Sequence, residues 1–134
     1  MIDHQSALIY TMVLVSAADR NMTDAELGMI GDIVRHLPVF KGYDVTKLPR
    51  TASVCADLVS GDDGLEHTLD VIRKALPEKL RETGYALACD VAAADGNISQ
   101  EVLRLLELLR HRLKIDRLVA AAIERGARAR FAHE

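Results

Sequence analysis

The stretch that decides the fold is VAAADGNISQE at residues 91–101, together with its counterpart SAADRNMTDAE at residues 16–26. Each stretch passes from small apolar residues through an acidic, polar turn to a Ser or a Thr, and then enters a run with helical periodicity. A Ser or Thr at that point is a typical helix N-cap, and Glu26, three residues after Thr23, completes a capping box. Both stretches therefore predict a helix, an acidic loop and a second helix.

The two stretches belong to an internal repeat that covers about residues 6–37 and 81–113. A shift of 75 residues aligns Tyr10 with Tyr85, Glu26 with Glu101, and His36 with His111. The loops themselves match at a shift of 76, so one residue has moved from one side of the loop to the other. Self-similarity at a fixed offset indicates a duplicated structural unit, so we expect the two halves to superpose as helix pairs.

Proline positions and apolar periodicity divide the whole chain into helices. Pro38, Pro49 and Pro77 each mark a boundary rather than a helix interior. No segment alternates apolar and polar residues for long enough to predict a strand. The sequence therefore predicts an all-α fold with about seven helices, near residues 6–18, 23–37, 48–59, 65–76, 77–93, 99–113 and from about 116.

The same periodicity predicts which residues face the core and which start the helices. The second helix is expected to bury Leu27, Ile30, Val34 and Leu37. The seventh helix is expected to bury Leu118, Ala122 and Ile123. Between the second and third helices, residues 40–47 are expected to form a loop rich in turn formers. Asp62 or Asp63 is expected to cap the fourth helix.

Composition limits the classes of function. A length of 134 residues suits one domain, residues 1–134, with a core that is aliphatic because aromatic residues make up only 4%. A net charge of −3 and the scarcity of aromatics argue against a nucleic-acid partner. No apolar run is long enough for a membrane span, and no signal peptide is evident. We therefore expect a cytoplasmic protein in which Cys55 and Cys89 are buried free thiols.

The repeated stretches resemble the TerB-like tellurite-resistance family. Residues 91–101 are similar to the family's AADGxIS…E signature, residues 16–26 to its first-half counterpart, and the resemblance covers nearly the whole chain. It implies a helical bundle of two pseudo-two-fold-related units, a role in tellurite resistance or stress response, and acidic residues that bind a divalent metal. The chain departs from the family pattern at Arg20, where a Gly is usual, and at Val102, where an acid is usual.

The acidic loops offer alternating oxygen donors. Asp19, Asn21 and Thr23 alternate, as the start of an EF-hand does, and the second loop repeats the pattern from Asp95. The glycine at the sixth position and the glutamate at the twelfth are absent, so neither loop is a complete EF-hand. A bound ion would need oxygens from more than one element, which favours Ca²⁺ or Mg²⁺. The candidate metal ligands are Asp19, Asn21, Glu26, Asp90, Asp95, Asn97 and Glu101.

A purely structural interpretation of the same residues stays open. Ser and Thr cap helices, and carboxylates in the first helical turn oppose the helix dipole without any ligand. Asp90 is a separate case, because it stands in an otherwise apolar helical segment and an unpaired buried carboxylate is costly. We expect it to lie inside the bundle and to meet a cation, either a metal ion or an arginine.

Three functions are compatible with these patterns. The first is a TerB-like stress-response domain that binds a divalent cation, Ca²⁺ or Mg²⁺, and needs no organic cofactor. The alternative is a non-catalytic protein-interaction module without metal, either a scaffold for a protein partner or a homodimer. A hydrolase built on paired carboxylates is the third, but the sequence contains no recognisable nucleophile motif, so an enzyme is not expected.

Overall fold

A computed structural model describes residues 2–18, 24–94, 96 and 98–134. Within these residues the chain is all-helical, with no strand, as the periodicity predicts. The α-helices are α1 His4–Ala18, α2 Asp24–His36, α3 Leu48–Val59, α4 Gly64–Ala75, α5 Glu78–Ala93, α6 Gln100–Arg112 and α7 Arg117–Arg130. Every helix lies where the sequence predicts one, with ends that agree to within a few residues.

Local capping signals explain most of these ends. Pro49 lies in the first turn of α3, where its missing N–H removes no helical hydrogen bond, and Pro77 directly precedes α5. The Ser99 hydroxyl accepts a hydrogen bond from the Val102 amide at 3.2 Å and so caps α6. Asp116 caps α7 by accepting from two backbone amides.

The start of α4 differs from the prediction. Asp63 stands at the N-cap position, but its side chain makes no cap hydrogen bond, and its φ of 51° places it in the left-handed region. The reason is the tight turn out of α3, in which Gly64 approaches the carbonyl of Val59 closely. The turn geometry therefore decides this helix start, and the expected capping by Asp62 or Asp63 is wrong.

The segment predicted as a loop at residues 40–47 contains ordered turns. A short 3₁₀ helix at Pro38–Phe40 leads into it, and a second one at Val45–Lys47 forms its last part. Asp44 accepts a hydrogen bond from the Thr46 amide at 3.0 Å and so starts the second of these turns. The connection therefore leads from α2 to α3 with its backbone groups satisfied locally.

Two helices lie at the centre of the fold. Every residue of α1 from Ala7 to Ser16 is buried, which is typical of a helix enclosed on all sides. It contacts α2, α3, α4, α5 and α6. The other central helix, α5, packs against α1 and also against α2, α6 and α7. The core around this pair is aliphatic, as composition predicts, and is one continuous cluster.

Two of the predicted apolar stripes are only partly correct. In α2, Leu27 is 50% exposed, whereas Ile30, Ile33 and Val34 are buried. In α7, Leu118 is 80% exposed and Ala122 is also exposed, while the helix packs through Ala120 and Ala127. The physical reason is the close approach of α7 to α5 through small side chains, which turns the larger Leu118 outward.

None of the helices in the described ranges combines the length and apolar character needed to cross a membrane.

Candidate functional site

The predicted acidic loops connect α1 to α2 and α5 to α6. The last helical residues before them are Ala18 and Ala93. Four of the predicted ligands, Asp19, Asn21, Asp95 and Asn97, lie outside the described residues. The structure therefore describes the helices on both sides of each loop, together with three of the predicted ligands, Glu26, Asp90 and Glu101.

Packing brings the two loop attachments together. A cavity of about 240 Å³ is lined by Ala17 and Ala18 from the last turn of α1, and by Glu101 and Leu105 from the first turns of α6. The first loop leaves α1 at this point, and the second loop enters α6 at the same point. Glu101, in the second unit, therefore lies beside the start of the first unit's loop.

Glu26 and Glu101, aligned by the 75-residue shift, have different environments. Glu26 is 2% exposed, whereas Glu101 is exposed to solvent. The helices α2 and α6 begin 76 residues apart, at Asp24 and Gln100, and at that offset Glu26 corresponds to the buried Val102. The equivalence of the two glutamates in sequence therefore does not extend to their burial.

Asp90 meets an arginine. Its Oδ1 accepts a hydrogen bond from the Nη2 of Arg130 in α7, and the two side chains form an ion pair. The Asp90 side chain is 19% exposed, so the pair lies at the edge of the core rather than deep inside it. The expectation that Asp90 meets a cation is confirmed, and the cation is an arginine. The carboxylate is less buried than expected.

The described residues alone do not form a metal site. Nowhere in the described ranges do three His, Cys, Asp or Glu side chains gather closely enough to hold an ion. The candidate donors Asp90 and Glu101 are carboxylates, and those in the loops are carboxylates and amides, which are the oxygen ligands that Ca²⁺ and Mg²⁺ take in proteins. A site for such an ion would therefore need the loop residues as well as Glu101.

The two thiols are chemically quiet. Both are free and buried, as composition predicts. Burial raises the pKa of the Cys55 thiol, and equally that of Cys89, to about 12. Because the thiolate is the reactive form, neither side chain serves as a nucleophile near neutral pH.

One polar contact lies beyond what periodicity and motifs predicted. The Tyr85 hydroxyl of α5 donates a hydrogen bond to the Glu124 Oε2 of α7 at 2.5 Å. Burial, and then this contact with a carboxylate, raise the pKa of Tyr85. The repeat aligns Tyr85 with Tyr10, which is also buried and whose pKa burial likewise raises, but the sequence held no signal for the contact with Glu124.

Comparison of the chain with protein-family models, with curated proteins and with solved structures finds no match in any of the three. The functional inferences therefore rest on the chain's own residues and on the resemblance of its repeated loops.

Proposed function

We propose that this chain is a TerB-like, non-catalytic helical domain of the cytoplasm that acts in tellurite resistance or stress response by binding a divalent cation at its acidic loops. The observation that carries the proposal is the position of Glu101 beside Ala17 and Ala18. It brings one acidic side chain of the second unit to the point where the first acidic loop begins. A single ion could then take oxygen ligands from both units, as two incomplete loops require.

We also propose that the seven helices form a bundle whose two halves are related by a pseudo-two-fold axis. Reciprocal packing supports this relation. The contact of α1 with α6 is matched by the contact of α2 with α5, and the packing of α3 on α1 is matched by that of α7 on α5. Such exchange of roles is what a two-fold arrangement requires, because each patch on one half meets its counterpart on the other.

The proposed ligands are the loop residues Asp19, Asn21, Asp95 and Asn97, together with Glu101. All of them offer hard oxygen donors, which favours Ca²⁺ or Mg²⁺ over softer metals. Asp90 is better explained by its ion pair with Arg130. Glu26 is better explained by the capping box predicted at the start of α2, where its side chain is buried.

Thermal denaturation with and without the ion tests the proposal. A site with a Kd of about 1 mM in about 10 mM Ca²⁺ or Mg²⁺ gains about 1.4 kcal/mol from RT ln(1 + [L]/Kd). For a domain of this size the melting temperature rises by roughly 3 to 6 °C. Asp95→Asn keeps the size of the side chain and its ability to cap a turn, so it leaves the metal-free protein nearly as stable but abolishes the rise.

Asp44→Asn is the matched control, because Asp44 is an exposed turn residue that follows the end of α2 opposite the first acidic loop, and an asparagine there can still cap its turn. It removes the same charge as Asp95→Asn and should keep the full response to the ion. A wild-type protein with no change in melting temperature, and no heat in titration calorimetry at low ionic strength, would overturn the cation proposal. The loops would then be helix caps, and the interaction-module alternative would take its place.

A further inference from the structure

A cavity of about 270 Å³ lies between α5, α6 and α7. Its walls are mainly apolar, and the gap exists because small side chains face larger ones across it. Ala92 of α5 and Ala127 of α7 line it opposite Leu103 and Leu106 of α6. Alanine leaves open the space that a longer aliphatic side chain would fill. The cavity is therefore a product of the three helices of the second unit.

The cavity is polar at one end and apolar at the other. The pairs Tyr85–Glu124 and Asp90–Arg130 show that α5 and α7 run in the same direction. The short connection after Ala93 returns α6 along α5, since short loops join antiparallel neighbours. Leu103 thus lies near the Ala93 end of the cavity, and Arg110, two turns further along α6, lies near the Tyr85 end.

The charged side chains of the cavity lining balance. Glu107, Arg110, Glu124 and Arg128 contribute two negative and two positive side chains to the lining. Neither arginine forms an ion pair with a described residue. The only hydrogen bond from a described side chain to Glu124 goes to Oε2, which leaves Oε1 to accept another. The lining as a whole thus has no net charge, and its Tyr85 end offers both donors and acceptors.

A ligand head group that suits this end is neutral and both donates and accepts hydrogen bonds. A charged head would lose hydration on entering without a net opposite charge to compensate. A hydroxyl or a primary amide can donate to a Glu124 oxygen and accept from the Arg110 guanidinium. The volume lies just below the range of about 300–1,000 Å³ that is typical for drug-sized ligands, which indicates a ligand of about ten non-hydrogen atoms.

We propose that the cavity between α5, α6 and α7 binds a neutral, medium-chain amphiphile, with its amide or hydroxyl head at Tyr85 and Glu124 and its alkyl chain toward Leu103. The cavity borders the second acidic loop, because Ala93 and Ile98 also line it, but octanamide binding and the response to the cation are measured independently of each other.

Calorimetric titration of the full chain with octanamide tests the head and the tail separately. Lengthening the chain from hexanamide to octanamide should tighten binding about fourfold per methylene, because each buried CH₂ contributes about 0.8 kcal/mol. Octanoate and octylammonium have the same tail with a charged head, and each should bind at least about tenfold more weakly. Charged analogues that bind as well as the amide, or affinity that does not change with chain length, would overturn the proposal.

Two leucines provide a matched pair of variants. Leu103 is 47% exposed and lines the cavity, while Leu27, at the equivalent position 76 residues earlier, is 50% exposed and does not line it. Leu103→Glu should weaken octanamide binding at least about tenfold, because it places a charge against the alkyl chain. Leu27→Glu should leave binding unchanged, and both proteins should fold because neither side chain is buried. Equal affinity in the two variants, or no octanamide binding by the wild-type protein at millimolar concentration, would contradict the assignment.

Discussion

Asp90 of α5 and Arg130 of α7, 40 residues apart in the chain, form an ion pair that ties the ends of two helices together. A fully buried pair of this kind would lose about 3 kcal/mol when one partner is removed. Here the arginine side chain is 55% exposed, so solvent screens the attraction. The contact therefore contributes to stability as a surface pair does, at the edge of the core.

We expect Arg130→Gln to lower the free energy of unfolding by roughly 0.5–1 kcal/mol, and a double-mutant cycle with Asp90→Asn to give a coupling energy of the same size. Urea denaturation measures all four proteins, and about 1 M salt should reduce the coupling. Arg125→Gln is the control, since Arg125 is exposed and forms no ion pair with a described residue. A coupling energy near zero, or one as large as that of a buried pair, would contradict this account.

Glu26 and Glu101 should respond differently to the same substitution. Glu26→Gln removes a charge from a buried first turn, and the expected loss is roughly 1–3 kcal/mol because buried polar contacts are expensive to break. Glu101→Gln changes an exposed side chain, so its effect should stay within about 0.5 kcal/mol. Urea denaturation without added metal makes the comparison. Similar losses in both variants would show that the two glutamates are equivalent after all.

Gly64 is required by the close approach of the backbone at the start of α4. A Cβ atom built there would overlap the carbonyl oxygen of Val59, and backbone cannot move aside cheaply. We expect Gly64→Ala to lose about 3 kcal/mol. Gly28→Ala, in the exposed part of α2 with nothing within 4 Å of the added atom, should gain about 0.5–1 kcal/mol. Thermal denaturation of both variants checks the signs, and a tolerated alanine at position 64 would mean that the turn can open.

The buried thiols predict a loss of stability in alkali. Burial raises the pKa of Cys55 and of Cys89 from 9.0 to about 12. Between these values the unfolded chain releases thiol protons that the folded protein retains, so stability is complete below pH 9 and falls as the pH rises toward 12. Each thiol contributes a slope of up to about 1.4 kcal/mol per pH unit, and Tyr85, whose pKa is also raised, adds to the fall.

Urea midpoints at about pH 8 and about pH 10.5 measure this slope. Cys55→Ala and Cys89→Ala should each make the slope shallower, whatever their effect on stability at pH 8. Unchanged slopes in both variants would show that the thiols ionise equally in the folded and unfolded states. Rapid reaction of either thiol with a thiol reagent in the folded protein would likewise contradict a raised pKa for that thiol.

The sequence predicted the helices well because the signals that start and stop them are local. Pro49, the Ser99 cap and the Asp116 cap each act on the backbone within three residues, so no tertiary information is needed to place them. The left-handed turn at Asp63 was not predicted because it depends on how closely α4 returns to α3. Asp63 stands at the N-cap position of α4, but this turn holds its backbone in the left-handed region. Its side chain therefore accepts no hydrogen bond from the first amides of the helix.

Sidedness was predicted less well. Leu27 and Leu118 fit an apolar stripe by spacing, yet both are exposed. A helix with more apolar residues than its buried face can accommodate must expose some of them, and neighbouring helices decide which ones. The different burial of Glu26 and Glu101 has the same origin, because α6 also packs against α4 and the neighbours of the two helices therefore differ.

The sequence by itself determined the all-helical class, most of the helix ends and the need of Asp90 for a cation, because each of these follows from nearby residues. It also determined the internal repeat, which a direct alignment of the two halves shows. Only the tertiary structure decided that the cation is Arg130, that Tyr85 bonds to Glu124, and that Glu101 lies beside the end of α1. These contacts join residues far apart in the chain, and many helix arrangements would satisfy the same local patterns. The packing of α5 against α1 and α7, and of α6 against α1, selects one arrangement, since it fixes which distant side chains share a surface.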